Sequence, residues 1–187
     1  LDVIRFKIFL CNCLLAFTSF SAADLVIRNG MLYDGTGQPP RVLDVSIDRG
    51  MIVSVGPNLP RGKVTLDAGG KAVAPGFIDA HTHAENIIHH PKAENFLRMG
   101  VTTLILGNCG SSELNLGDFY KQIEEKGFSP NIASLIGHGT VRKQVMGGSF
   151  RRPPDAGELA QMQKYIESGM VDGALGMSTG LIYLPGT

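Results

Sequence analysis

The chain has 187 residues, 43% of them hydrophobic, and its 17 Lys and Arg are balanced by 17 Asp and Glu. That length and apolar share suffice for a packed core. A formal net charge of zero gives no electrostatic ground for a nucleic-acid or acidic-membrane partner.

The first 23 residues read as a secretory signal. Arg5 and Lys7 form a basic start, residues 8–17 (IFLCNCLLAF) an apolar stretch, and SFSAA offers small residues for cleavage near Ala22 or Ala23. The stretch is too short for a membrane span. Export to the periplasm or beyond is expected, with a cytoplasmic protein as the alternative. Cys11 and Cys13 would leave with the signal, and Cys109 alone would remain. A single Cys forms no internal disulfide. It is a spare thiol, a small hydrophobe or a metal ligand. The chain starts at Leu1 and stops at Thr187 just after an apolar segment, so a truncated reading frame is expected.

Residues 24–70 read as short β runs broken by turns. LVIRNG (25–30) ends in Asn-Gly, a hairpin signal before MLYD. A loop over 34–41 precedes VLDVSID (42–48), which alternates like a half-buried strand. Arg49-Gly50 turns the chain into MIVSVG (51–56), and KVTLDAGG (63–70) closes a small antiparallel sheet.

The rhythm changes at Lys71. An apolar run, AVAPGFIDAHTH, leads to a helical stretch near 91–99. VTTLILG (101–107) is continuously apolar, as a strand buried on both faces should be. A helix over 116–127 has Gly127 as its C-terminal stop, and NIASLIG (131–137) is the next strand. Asp155 and Glu158 form a capping box for another helix, with Leu159, Met162, Ile166 and Met170 on one face. GALGMSTG (173–180) is the fourth strand. Alternation of this kind predicts a parallel sheet with helices outside. An open doubly wound sheet and a (βα)8 barrel both fit. No Gly-rich phosphate fingerprint follows the first strand, which weakens a dinucleotide site.

His81 and His83 stand two residues apart where the first of these strands leaves the sheet. Side chains at i and i+2 of a strand share a face, roughly 7 Å apart, so two imidazoles there converge on one ion. The bland reading is two solvated polar residues. Cys109 sits just past the neighbouring strand, in GNCGSS, within reach across a strand spacing of roughly 5 Å. A thiolate with imidazoles selects zinc over magnesium or calcium. The flanking glycines also fit a plain tight turn. His89 and His90 lie further on, in a loop, and Asp79 is a supporting residue rather than a ligand.

These residues resemble a known family. PGFIDAHTH (75–83) is similar to the first-strand metal motif of the amidohydrolase superfamily. GVTTLILGNCGSS (100–112), LIGHGTVRKQVMG (135–147) and GALGMSTGLIYLPGT (173–187) narrow the resemblance to the N-acyl-D-amino-acid deacylases, or D-aminoacylases. The resemblance implies the first half of a (βα)8 barrel over 71–187, preceded by part of a small β-sandwich over 24–70. It implies Zn2+ held by His81, His83 and Cys109, and a substrate contact by Tyr183. His138 follows the third strand and is expected to orient substrate or support the ligands. The implied reaction is hydrolysis of an N-acyl-D-amino acid to a carboxylate and a D-amino acid. Two further histidine ligands, the general-base Asp and basic residues for the substrate carboxylate are expected beyond Thr187, leaving no catalytic base in this chain. A cyclic-amide hydrolase of the dihydroorotase or hydantoinase kind is an alternative, disfavoured by Cys109 where those enzymes favour a bridging Lys. A non-catalytic metal-binding piece is another.

Overall fold

The structure, a computed structural model, describes residues 22–147 and 151–185. The apolar stretch and basic start of the expected signal lie outside the described residues. No helix among those residues is long and apolar enough to cross a membrane. The chain divides between Pro75 and Gly76 into two compact units.

The first unit is one five-stranded sheet built from β1 (Leu25–Leu32), β2 (Arg41–Asp48), β3 (Met51–Gly56), β4 (Val64–Asp67) and β5 (Ala72–Val73). Its order is β3-β2-β1-β4, with β5 also paired to β1. β1, β2 and β3 are antiparallel, but β4 and β5 run parallel to β1. An all-antiparallel sheet is therefore incorrect. Residues 57–63 return the chain to the starting end of β1 before β4 begins. Asn29-Gly30 does not turn the chain either. Asn29 takes φ 56° inside β1, where the pairing with β2 shifts register between Ile27 and Gly30. Tight hairpin turns and some bulges both use positive φ, which Asn tolerates. The bulge wins because the Asn29 N–H donates to Asp44 Oδ1 at 3.0 Å. Burial pushes the Asp44 carboxyl up, but the amides of Asn29 and Leu59 and the Arg28 guanidinium outweigh it and hold it below the ordinary value.

The second unit contains β6 (Phe77–Asp79), α1 (Glu94–Arg98), β7 (Val101–Leu106), α2 (Leu116–Lys126), β8 (Asn131–Ser134), β9 (Ile136–Gly137), α3 (His138–Met146), α4 (Ala156–Val171) and β10 (Met177–Ser178). β6, β7 and β8 pair in that order, all parallel. β9 pairs with β10, again parallel. The single strand expected over 131–137 breaks at Leu135, because the segment serves two neighbours in turn. Ser134 is the last residue paired to β7, and Ile136 the first paired to β10. α3 is a helix that the sequence pattern did not predict, stopped by Gly147 at φ 72°. Leu104, Leu106, Ile87 and Phe119 form one buried cluster. Leu116, Ile136, Val141 and Met162 form a second, beneath α3 and α4.

α4 opens as expected. Asp155 Oδ1 accepts the Glu158 N–H at 2.8 Å, and Glu158 Oε2 accepts the Asp155 N–H at 2.9 Å. Of its expected apolar face Met162 is buried, while Leu159 and Met170 stay about half exposed. Asp155→Ala should remove about 1 kcal/mol of stability, the usual worth of such a cap, read from urea unfolding. The hydrogen bond from Arg152, then that from the Asp155 amide, pull the Glu158 carboxyl down to about 2 from an ordinary 4.5. A carboxyl depressed in the fold stabilises above its ordinary value, so this contribution fades as pH falls from 4.5 toward 2.

Candidate metal centre

Asp79 ends β6, and its Oδ1 accepts the His81 N–H at 3.2 Å. Beyond it the Thr82 N–H donates to the Ile105 carbonyl at 3.1 Å, so the segment keeps its place beside β7. Thr82 is buried, and His81 and His83 are exposed. This is the alternation that puts i and i+2 on one face. The two imidazole rings stand 5.4 Å apart, tilted by 71°.

Cys109 lies in the turn that follows β7. Gly107, Cys109 and Gly110 have φ of 75°, 55° and 80°. A left-handed backbone at a residue with a Cβ costs about 1–2 kcal/mol, so packing has to hold it. Gly107 shows how tightly: a Cβ there would lie 2.1 Å from the Leu135 carbonyl oxygen. The Asn108 amide closes the turn by donating to the Ile105 carbonyl at 2.8 Å.

Cys109 Sγ lies 3.4 Å from His81 Nε2. One ligand atom from each of His81, His83 and Cys109 lies within 4.8 Å of the others. Tetrahedral zinc holds S and N ligands at about 2.3 and 2.0 Å, which separates them by roughly 3.3–3.7 Å. The sulfur and the first imidazole already stand at that spacing. A soft sulfur with two imidazoles suits zinc and does not suit the oxygen-seeking Mg2+ or Ca2+. The donor set therefore fits zinc.

A cleft of roughly 550 Å3 opens beside the sulfur, lined by His83, Cys109, Ser111, Thr140, Lys143 and Tyr183 among others. Tyr183 is thus brought to the cysteine and the second histidine. His138 is not. It lines a separate cleft with Leu159, Met162, Ile166, Glu167 and Met177. Its Nδ1 is buried and has no hydrogen-bond partner among the described residues. Burial, and then the Arg142 charge, lower its pKa. His89 and His90 line a third cleft with Pro91 and Lys92. Lys143 and Thr140 escaped the sequence reading because they sit on α3, which was not seen as a helix. Their spacing of three residues was the available signal.

No family model matches the chain. It is 33% identical, over 87% of its length, to an N-acyl-D-aspartate deacylase of Alcaligenes xylosoxydans xylosoxydans, and spans 38% of that protein. Among solved structures, a D-aminoacylase described as defining a novel subset of amidohydrolases superposes with a TM-score of 0.82 at 31% identity, over 88% of this chain and 40% of that one. An N-acyl-D-glutamate deacylase of Bordetella bronchiseptica, complexed with zinc and a phosphonate inhibitor, gives 0.80 at 30% identity, over 89% and 40%.

Proposed function

We propose, from the premise that this chain is a homologue of part of the N-acyl-D-amino-acid deacylases of the amidohydrolase superfamily, that His81, His83 and Cys109 hold zinc for the hydrolysis of N-acyl-D-amino acids. The meeting of those three ligand atoms within 4.8 Å at neighbouring strand tips carries the reading. β6, β7 and β8, each parallel to the one before, and the parallel pair β9 and β10 then belong to the first half of a (βα)8 barrel, with the centre at its C-terminal rim. Residues 24–70 supply one sheet of a small β-sandwich. The basic start and apolar stretch of residues 1–23 support export.

Zinc, when bound, supplies Lewis acidity that activates water and polarises an amide carbonyl. The chain's own residues position the rest. Tyr183 and Lys143 line the same cleft as His83 and Cys109, and an ammonium with a phenol suits the substrate carboxylate. Lys143 has no ion-pair partner among the described residues, and no carboxylate lines the cleft. The cleft thus favours an anion, and the family resemblance assigns the proton acceptor to an Asp beyond Thr187. General acid–base catalysis contributes about 10²–10⁴-fold.

The test is amine release from N-acetyl-D-glutamate, N-acetyl-D-methionine and their L-enantiomers by zinc-loaded protein. It compares the 187-residue chain with the longest natural polypeptide that contains it. The longer protein should release amine from D-substrates, and the 187-residue chain should be at least about 100-fold slower. Lys143→Gln in the longer protein should raise KM for both D-substrates about tenfold or more, the worth of one charge-assisted hydrogen bond. Hydrolysis of L-substrates or cyclic amides in place of D-substrates would sink the assignment.

A further inference from the structure

The turn that presents Cys109 is held from two sides by hydrogen bonds to residues outside the His81, His83 and Cys109 trio. Ser178, at the tip of β10, is buried, at 9% exposure. Its Oγ accepts the Gly110 N–H at 2.9 Å and donates to the Gly107 carbonyl at 2.5 Å. One hydroxyl therefore ties together the two ends of the Gly107–Gly110 turn. From the segment that follows β6, Glu85 Oε1 accepts the Gly107 N–H at 3.2 Å. Glu85 follows His83 by two residues, so this bond links the histidine segment directly to the cysteine turn.

Neither contact is explained by the needs of the sheet. The Gly107 and Gly110 groups involved lie past the end of the β7 ladder, which stops at Leu106. They are backbone groups that a turn with φ of 75°, 55° and 80° leaves aimed away from regular pairing. A hydroxyl suits the place because it donates and accepts at once and is small. The space around it is closed. A Cβ on Gly180 would come within 2.1 Å of the Cys109 carbonyl oxygen, and one on Gly137 within 2.5 Å of the Gly110 carbonyl oxygen. The strand tips of β9 and β10 thus wall the turn, and Ser178 is the polar contact that locks it there.

We propose that Ser178 and Glu85 are positioning residues for the Cys109 ligand: they set the left-handed turn that aims the sulfur at His81 and His83, and so tune affinity for a thiophilic metal. The inference rests on the metal-binding reading given above. Outer groups that orient a metal's ligands commonly change affinity by about 10–100-fold when removed. Here they act on a backbone turn rather than on a ligand side chain. The separation of the two contacts, one from β10 and one from the His83 segment, also makes the sulfur's place depend on both neighbouring tips.

The test is cobalt(II) titration of the metal-free 187-residue chain, with the near-ultraviolet sulfur-to-cobalt band reporting bonding to Cys109 and the visible bands reporting total cobalt. Thermal unfolding of each metal-free variant is followed alongside. Ser178→Ala is expected to weaken cobalt and zinc binding about 10–100-fold and to reduce the sulfur band at saturating cobalt. Glu85→Ala should act in the same direction, and Glu85→Gln should restore binding, since its Oε1 still accepts the Gly107 N–H. This rescue keeps the test decisive where Ser178→Ala fails to fold. A purely structural role would lower the unfolding temperature and leave the sulfur band at saturation unchanged. That result, or a Glu85→Gln variant no better than Glu85→Ala, overturns the inference while leaving the metal site standing. A wild-type chain that binds cobalt without a sulfur band overturns the metal reading, and the inference with it.

Discussion

Cys109→Ala is expected to weaken zinc binding to the chain by at least about 100-fold, beyond the usual effect of an outer-shell change, and to leave the fold intact. Cys109 is only partly buried, so its removal opens no core cavity. What it removes is the one soft donor, 3.4 Å from His81 Nε2. Two imidazoles remain, and two imidazoles alone discriminate poorly among divalent ions. Stability measured with and without metal gives a second reading. Zinc at about 100 times its dissociation constant should stabilise the wild-type chain by about 2.7 kcal/mol. With affinity 100-fold lower, the same zinc should add less than about 0.5 kcal/mol to the Ala variant. Cys109→Gly sharpens the contrast. Cys109 holds φ 55°, where glycine carries no steric penalty. Without metal the Gly variant should therefore be as stable as the wild type or up to about 1 kcal/mol more stable, although it binds zinc no better than the Ala variant. A site where the native residue binds metal at the expense of backbone comfort is one kept for its chemistry. Calorimetric zinc titration of the three proteins is the measurement. Affinities within threefold of one another would remove Cys109 from the ligand set.

The sequence made this trio readable because its signals are local. His81 and His83 obey the two-residue period of an extended chain, and Cys109 comes shortly after a strand-like run rich in β-branched residues. The capping box of α4 and the glycine stop of α2 are equally local, and both stand where they were expected. Most of the failures depend on partners far along the chain. Asn29-Gly30 is a bulge rather than a turn because Asp44, fifteen residues on, accepts its amide. β4 runs parallel to β1 because the chain crosses back before it pairs. The segment over 131–137 breaks at Leu135 because it has one neighbour in β7 and another in β10. α3 was hidden by a glycine-containing start, HGT, which lacks the apolar spacing of an amphipathic helix. Missing α3 meant missing Lys143 in the cleft beside Cys109, while His138 lines a different cleft with Leu159, Met162 and Ile166. The three side chains that meet were legible, and of the cleft beside them Tyr183 was named but Thr140 and Lys143 were not, because that wall depends on α3.

Gly107→Ala should be the most damaging single methyl that the second unit can receive near the centre. Two penalties add. The backbone at φ 75° disfavours any Cβ by about 1–2 kcal/mol. The new carbon would also sit 2.1 Å from the Leu135 carbonyl oxygen and 2.7 Å from Ser134 Oγ. A serine side chain can rotate away. A backbone carbonyl at the junction of β8 and β9 cannot, because the Leu135 N–H is already bound to the Leu106 carbonyl and the Ile136 N–H to the Gly176 carbonyl. Overpacking of this kind costs about 1–3 kcal/mol, so the total should be about 2–5 kcal/mol, a large part of the 5–15 kcal/mol that ordinarily separates folded from unfolded chains. Gly50→Ala is the internal control. Gly50 has the same φ, 75°, with no atom within 4 Å of an added Cβ, so it should lose only the backbone part, about 1–2 kcal/mol. The difference between the two variants in urea unfolding reads the steric contribution. Zinc affinity should fall in Gly107→Ala and stay unchanged in Gly50→Ala, since only the former shifts the turn that carries Cys109. Equal losses in both would mean that the tips of β7 and β8 slide apart freely, and a cysteine on so loose a turn would have no fixed distance to the two histidines.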